Sequence, residues 1–339
     1  MILDDICTWP KKLKTGVELA ESFYEVQGDL LPKNIKNVVF LGMGGSGIVG
    51  RMIKTFLDKQ TQVRCDIIDS PEVPGHVQND GQTLAFAITY SGNTWETLAG
   101  LKQVLDRSVP VIVIAHAGRA QELARQNNLP FIELPVSEQP RSALGNFLGL
   151  MLVLFDLMGV LRGKKLVADF IVHAEKNISI FANPGFFGDF LHIVKNLPFF
   201  HIWGVSGESG AFAYRAQTQF NENSKIQAIY STFPELAHNL LVGFTDIQEK
   251  TGVLLFYTDF VSKNTQKAIE AMVEILREKG ADLYKVPVLG DTFEVQLFNM
   301  VLWADFASCH LGLVRGVELT QVEIIERLKL VQKQKGITV

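Results

Sequence analysis

Cysteine is scarce in this 339-residue chain: Cys7, Cys65 and Cys309 are odd in number, far apart, and form no C-x-x-C pair. That spacing excludes a disulfide framework and a thiolate zinc or redox centre, and it fits a reducing cytoplasm. Excess positive charge is missing too. With 32 Lys and Arg against 36 Asp and Glu, the net charge is −4, so no global basic field exists to hold nucleic acid and any anionic ligand must be captured by local groups. The opening "MILDDICTWPKKLK" carries acids where an export signal carries bases and has no apolar core, so no targeting segment is expected. The longest apolar run, Phe147 to Leu161, is too short for a comfortable bilayer span and contains Asp156, which predicts a buried helix and no membrane association. No Pro-rich or Gly/Ser-rich linker divides the chain, so its parts are expected to pack closely.

What is present is 47% hydrophobic and 20% charged, enough to build one large core or two smaller ones. The sequence says one thing twice. "NVVFLGMGGSGIVGRMIKTFL" (Asn37 to Leu57) and "FFHIWGVSGESGAFAYRAQTQF" (Phe199 to Phe220) each run from an apolar strand through a glycine and hydroxyl turn into a helix. Downstream, Thr83 to Leu105 and Gly252 to Leu276 repeat the pattern of buried strand, polar turn and amphipathic helix. Further strands follow in "VPVIVIA" and "ADLYKVPVL". Strands apolar along their whole length and alternating with helices predict an α/β protein with two tandem parallel sheets flanked by helices. The expected layout is a first domain over 1–155 with a helical lead-in, a helical connection over 156–195, and a second domain over 196–339 with terminal helices.

In the first turn, Gly42, Gly44 and Gly47 satisfy G-x-G-x-x-G, and Asp69 ends a strand-like segment at the distance where a dinucleotide site places its ribose-binding acid. An NAD-dependent enzyme is therefore one reading. The glycines serve any phosphate, however, because they let backbone approach an anion at a helix start. The next turn, "TYSGNTWET", gathers Thr89, Ser91, Asn93 and Thr94 around Gly92 ahead of a helix starting near Trp95 or Glu96. Those hydroxyls either cap the helix or cradle a monophosphate.

Taken in order, "GMGGSG", "TYSGNTWET", "LPVSEQPRSALG", "FNENSK", "FPELAHN" and "RGVELTQVEIIERLK" resemble the bifunctional phosphoglucose/phosphomannose isomerases, a branch of the sugar isomerase (SIS) superfamily, from about residue 35 to 330. The resemblance implies tandem SIS domains, a homodimer with active sites at the subunit interface, a sugar 6-phosphate substrate and a place in glycolysis and gluconeogenesis. It maps the phosphate loop onto "TYSGNT", with Ser91 and Thr94 as ligands and Thr89 where serine is frequent, and sets Gly45 and Ser46 beside the sugar phosphate.

Aldose–ketose interconversion needs a carboxylate to move a proton between C2 and C1, a group to open the ring, and a cation for the developing charge; it needs no metal or cofactor. By resemblance, Glu222 is the base, His238 the ring-opening histidine contributed by the neighbouring subunit, Arg141 the cation at the enediolate oxygen, and Lys329 a donor to the ring oxygen. On residue type alone, Glu222 reads as a solvated or salt-bridged helix-end glutamate near Lys225, His238 as a helix cap or brace and Arg141 as a surface ion pair. Lys333 and Lys335 are further basic candidates in the last helix. His116 and His201, beside strands, are assigned structural roles. A non-catalytic sugar-phosphate sensor would keep "TYSGNT" and need neither Glu222 nor His238.

Overall fold

The computed structural model describes residues 2–247 and 250–337. In chain order its elements are α1 (Ile2–Cys7), α2 (Trp9–Gln27), β1 (Asn37–Leu41), α3 (Gly44–Gln60), β2 (Arg64–Ile68), β3 (Thr83–Ile88), α4 (Trp95–Asp106), β4 (Val111–Ala115), α5 (Arg119–Gln126), β5 (Phe131–Glu133) and α6 (Leu144–Leu157). They continue with α7 (Gly163–Phe181), α8 (Gly188–Val194), β6 (Phe199–Val205), α9 (Gly210–Ser224), β7 (Gln227–Phe233), β8 (Gly252–Leu255), α10 (Lys263–Glu278), β9 (Asp282–Lys285), α11 (Phe293–Val314) and α12 (Glu323–Gln334). Two compact units result: residues 8–168 with α12, and α1 with residues 169–321. The helical lead-in thus divides at Thr8, with α2 packed along α6 in one unit and α1 grouped with α11 in the other.

In the first unit the strands are all parallel in the order β2-β1-β3-β4-β5. Their side chains alternate between two covered faces, which is why the strands read as unbroken apolar runs. On one face Phe40 and Phe86 stack at 5.3 Å and Phe155 of α6 lies 5.6 Å from Phe86. On the other, Val39, Leu41, Ala85 and Ala87 meet Leu98 and Leu101 of α4 and Ala120 of α5.

In the second unit the parallel order is β7-β6-β8-β9. Trp203, Val205, Val253 and Leu255 form one face with Ile269 and Met272 of α10. The opposite side is built on α11, where Trp303 stacks on Tyr284 at 5.9 Å and meets Phe190 and Phe256. Two of its buried polar residues pair across the core: Asp305 with Arg215 of α9 at 3.0 Å, and Asn299 with Asn177 at 2.8 Å.

Pro140–Leu157 and Phe293–Val314 are apolar and long enough to cross a membrane, yet 78% and 89% of these stretches are buried against protein. They are core helices. The first contains most of the run in which the sequence predicts a buried helix.

Two histidines carry a pH signature. Burial holds His201 of β6 below the ordinary histidine pKa of 6.5, and it does the same to His310 of α11, partly opposed there by the Phe181 carbonyl to which Nε2–H donates. Below about pH 6.5 the unfolded chain therefore binds more protons than the folded one, and stability falls; above it both forms are neutral and this contribution is constant. Urea unfolding should show lower stability at pH 5.5 than at pH 7.5, with a shallower dependence in the His201→Gln/His310→Gln double variant. An unchanged pH slope in that variant would contradict the assignment.

Candidate functional site

A ligand crevice follows from the order of the first sheet. The strand order reverses between β1 and β3, so the helices that follow them leave toward opposite faces: α3 lies against Phe40 and α6, and α4 against Val39 and Leu41. The turns therefore part at the carboxyl ends of β1 and β3, the place where open α/β sheets bind ligands.

The two turns are joined there. Ser46, in the first turn of α3, accepts a hydrogen bond at Oγ from the Tyr90 N–H at 3.1 Å. Thr89 and Thr94 pair through their hydroxyls at 2.9 Å, and Ser91 Oγ accepts from the Asn93 N–H at 3.3 Å. Capping does not explain these groups: Thr94 is the N-cap residue of α4 and makes no side-chain capping bond. The positive end of α4 therefore meets a cluster of hydroxyls, an arrangement that suits an anion.

The loop's shape is fixed from behind. The Asn93 side chain accepts from the Arg119 N–H at 3.1 Å and donates to the Ser91 carbonyl at 2.9 Å, while the Gly92 carbonyl accepts from Ala120 N at 2.9 Å. Gly92 has φ +69°, and a Cβ there would stand 1.5 Å from the Ala117 carbonyl oxygen. Only glycine fits.

Arg141 lies on a short 3-10 turn, Pro140–Ala143, that packs against α3 beside Gly45. It is buried, and its guanidinium donates to Gln139 Oε1 at 3.1 Å. A surface ion pair does not describe it. Tyr90 connects this segment to the Thr89–Thr94 turn: its hydroxyl donates to the Pro135 carbonyl, accepts from Ser137 N–H, and its ring stacks on His116 at 5.7 Å. The sequence reading passed over Tyr90, whose only signal was its position inside the hydroxyl motif. Gly45, Ser46, Thr89, Ser91, Thr94 and Arg141 are thus gathered in one unit. Asp69 pairs with Arg51 of α3.

The second unit repeats the strand order but fills the corresponding place. At the β6–β8 edge, Ser209 Oγ donates to the Phe256 carbonyl, and buried Glu208 accepts at Oε1 from Thr258 N–H at 2.8 Å. Ser262 caps α10 by accepting from Thr265 N–H at 3.1 Å. The chain's own carboxylate sits where the first unit leaves hydroxyls, so the two turns differ chemically although their sequences share a pattern.

Glu222 is half-buried in the last turn of α9, and Lys225 Nζ donates to its main-chain carbonyl. His238 is exposed at the end of a 3-10 turn, Glu235–His238, after β7. Helix α9 returns the chain to the amino ends of the strands, whereas His238 follows a carboxyl end. The seven residues of β7 lie between them, a separation of about 20 Å at about 3.3 Å per residue. One chain does not bring Glu222 and His238 together. Lys329 lies on α12, exposed on a helix that buries none of its side chains. Among the described residues, no group of three His, Cys, Asp or Glu side chains is arranged to hold a metal ion.

Comparison with known proteins agrees with this architecture. Residues 33–161 match the SIS domain family, and residues 192–331 match the bacterial phospho-glucose isomerase C-terminal SIS domain. The tagatose-6-phosphate ketose/aldose isomerase of Escherichia coli shares the fold with a TM-score of 0.69 at 16% identity, covering 95% of this chain and 96% of its own. A bifunctional phosphoglucose/phosphomannose isomerase of Thermoplasma acidophilum is 29% identical over 89% of this chain and 91% of its own length. The protein of the same description from Thermoplasma volcanium is 30% identical over 86% and 90%. With SIS matches in both halves and relatives matching nearly end to end, the chain belongs to the bifunctional phosphoglucose/phosphomannose isomerase family.

Proposed function

We propose that this protein is a phosphosugar isomerase that interconverts glucose 6-phosphate and mannose 6-phosphate with fructose 6-phosphate through an enediol. The observation that carries the reading is the β1–β3 crevice, where hydroxyls and an uncapped helix start are held ready for a monophosphate in a chain of this family. A sensor would need the crevice alone; the family's enzymes favour turnover.

The roles follow from the chemistry. Ser91, Thr94 and Thr89, with the Gly45 backbone and Ser46, hold the phosphate. His238 moves the proton that opens the sugar ring at its oxygen, and Lys329 donates to the same oxygen. Glu222 removes the C2 proton of the open-chain aldose; the electron pair shifts into the C1–C2 bond as the C1 carbonyl becomes an enediolate oxygen, which Arg141 stabilises. Glu222 then returns the proton to C1 while the O2 hydroxyl proton passes to the enediolate O1, leaving the ketone at C2. The enediol is planar at C2, so return of a proton to either face in the reverse direction gives the glucose or the mannose epimer. The residues supply acid, base and cation without a cofactor.

The separation of Glu222 from His238 within one chain supports a homodimer in which each site takes His238 of the partner subunit. The lack of a disulfide among Cys7, Cys65 and Cys309 supports a cytoplasmic enzyme.

A coupled assay with glucose 6-phosphate and mannose 6-phosphate supplied separately, EDTA present throughout, should report turnover of both. Glu222→Gln should fold and lose about 10²- to 10⁴-fold in kcat; near-wild-type turnover would remove it from the mechanism. In the same assay Thr94→Ala removes a hydrogen bond to a charged group, worth about 1.5–3 kcal/mol, so KM should rise roughly 10- to 150-fold. An unaltered KM would place the phosphate elsewhere. Subunit sharing has its own test: after Glu222→Gln and His238→Ala chains are unfolded and refolded together, half of the dimers should be mixed, each with one intact site, restoring about a quarter of wild-type activity. No recovery would mean that both residues act from one chain.

A further inference from the structure

A helix end is a poor platform for a catalytic base, because its last carbonyls lack intrahelical partners and the final turn frays. Glu222 occupies such an end in α9. The residues around it are pinned. Asn221 Oδ1 accepts from Ala228 N–H at 2.8 Å, Asn223 Nδ2 donates to Ser308 Oγ at 2.9 Å, and Ser224 Oγ donates to the Ser308 carbonyl at 2.6 Å. Lys225, at φ +52°, ends the helix and donates to the Glu222 and Leu319 carbonyls.

Ser308 of α11 stands at the centre. Its hydroxyl hydrogen goes to the Asp305 carbonyl at 3.0 Å, so its lone pairs are available to Asn223. Ser308, Asn223 and Ser224 are fully buried, and water cannot replace these partners. One helical turn further, Gly312 lets α11 close on the same spot: a Cβ there would stand 2.6 Å from the Asn223 carbonyl oxygen. The two residues after Glu222 are thus buried and fastened to a core helix, and exposed Asn221 before it is tied to β7, while Glu222 itself is half-buried.

We propose that Ser308 and Asn223 are positioning residues for isomerisation: the Asn223–Ser308 bond locks the last turn of α9 and so fixes where the Glu222 carboxylate is presented. This rests on the reading of Glu222 as the base. A shift of about 1 Å in a reacting group can cost 10²-fold in rate, whereas the phosphate loop lies on other elements, so the effect belongs in kcat.

The test compares S308A, S308T and E222Q in steady-state kinetics, with thermal melts to establish folding. S308A should lower kcat about 10- to 100-fold with KM within about twofold, and should raise the isotope effect for glucose 6-phosphate deuterated at C2, because proton transfer becomes the slower step. S308T, which keeps the hydroxyl, should recover most of the loss. A folded S308A with wild-type kcat and isotope effect overturns the proposal. If S308A does not fold, S224A, which deletes only one hydroxyl of the clamp, must show the same split, and wild-type kinetics in it overturn the proposal. E222Q separates the two levels: an active E222Q removes the base assignment, and the clamp with it. An inactive E222Q beside a fully active S308A removes only the clamp.

Discussion

The reversal of strand order between β1 and β3 is the constraint on which the proposed phosphate crevice depends. Parallel strands must be joined by crossovers, and the crossover helices cover both faces of the sheet. Where the order reverses, α3 and α4 leave from adjacent strand ends in opposite directions, so their first turns face a common gap. The hydrogen bond between Tyr90 N–H and Ser46 Oγ joins the two turns, and Asn93 with Gly92 braces the loop against the turn after β4. Binding is thereby prepared by bonds made on folding.

The second unit shows that topology alone does not make a site. Its strand order is the same, and it too has a turn with hydroxyls before a helix. Yet Glu208 accepts from the backbone at the corresponding edge and Ser262 caps the next helix. An anion entering there would meet a carboxylate that is already paired. The duplicated pattern has diverged in chemistry: the first unit gathers hydroxyls that bond to one another and to nearby backbone, whereas the second carries a buried carboxylate there and binds α9 to α11 through the Arg215–Asp305 pair and Ser308.

Much of this was legible in the residues. The unbroken apolar runs announced buried parallel strands, and α4 begins at Trp95 where the hydroxyl cluster predicted it. The choice between capping and ligand binding was not legible, because Ser, Thr and Asn serve both purposes; in the fold Thr94 pairs with Thr89 instead of capping α4, and Asn93 reaches the turn after β4. Tyr90 was invisible as a functional residue, since an aromatic after a strand ordinarily signals packing. Its importance lies in three hydrogen bonds to segments distant in sequence. The clamp at Ser308 was hidden for the same reason, 85 residues from Asn223. Assignments such as Glu222, His238 and Lys329 came from resemblance. Their residue types are common on helices and turns, and what distinguishes them is placement.

The central claim is that a sugar 6-phosphate held by this chain is isomerised at C1 and C2. Carbon-13 NMR of fructose 6-phosphate labelled at C2, incubated with the purified protein, tests it most directly. The account predicts loss of the ketose carbonyl-carbon signals and growth of C2 signals from both glucose 6-phosphate and mannose 6-phosphate. A label that stays in fructose 6-phosphate while the protein binds it would contradict the account.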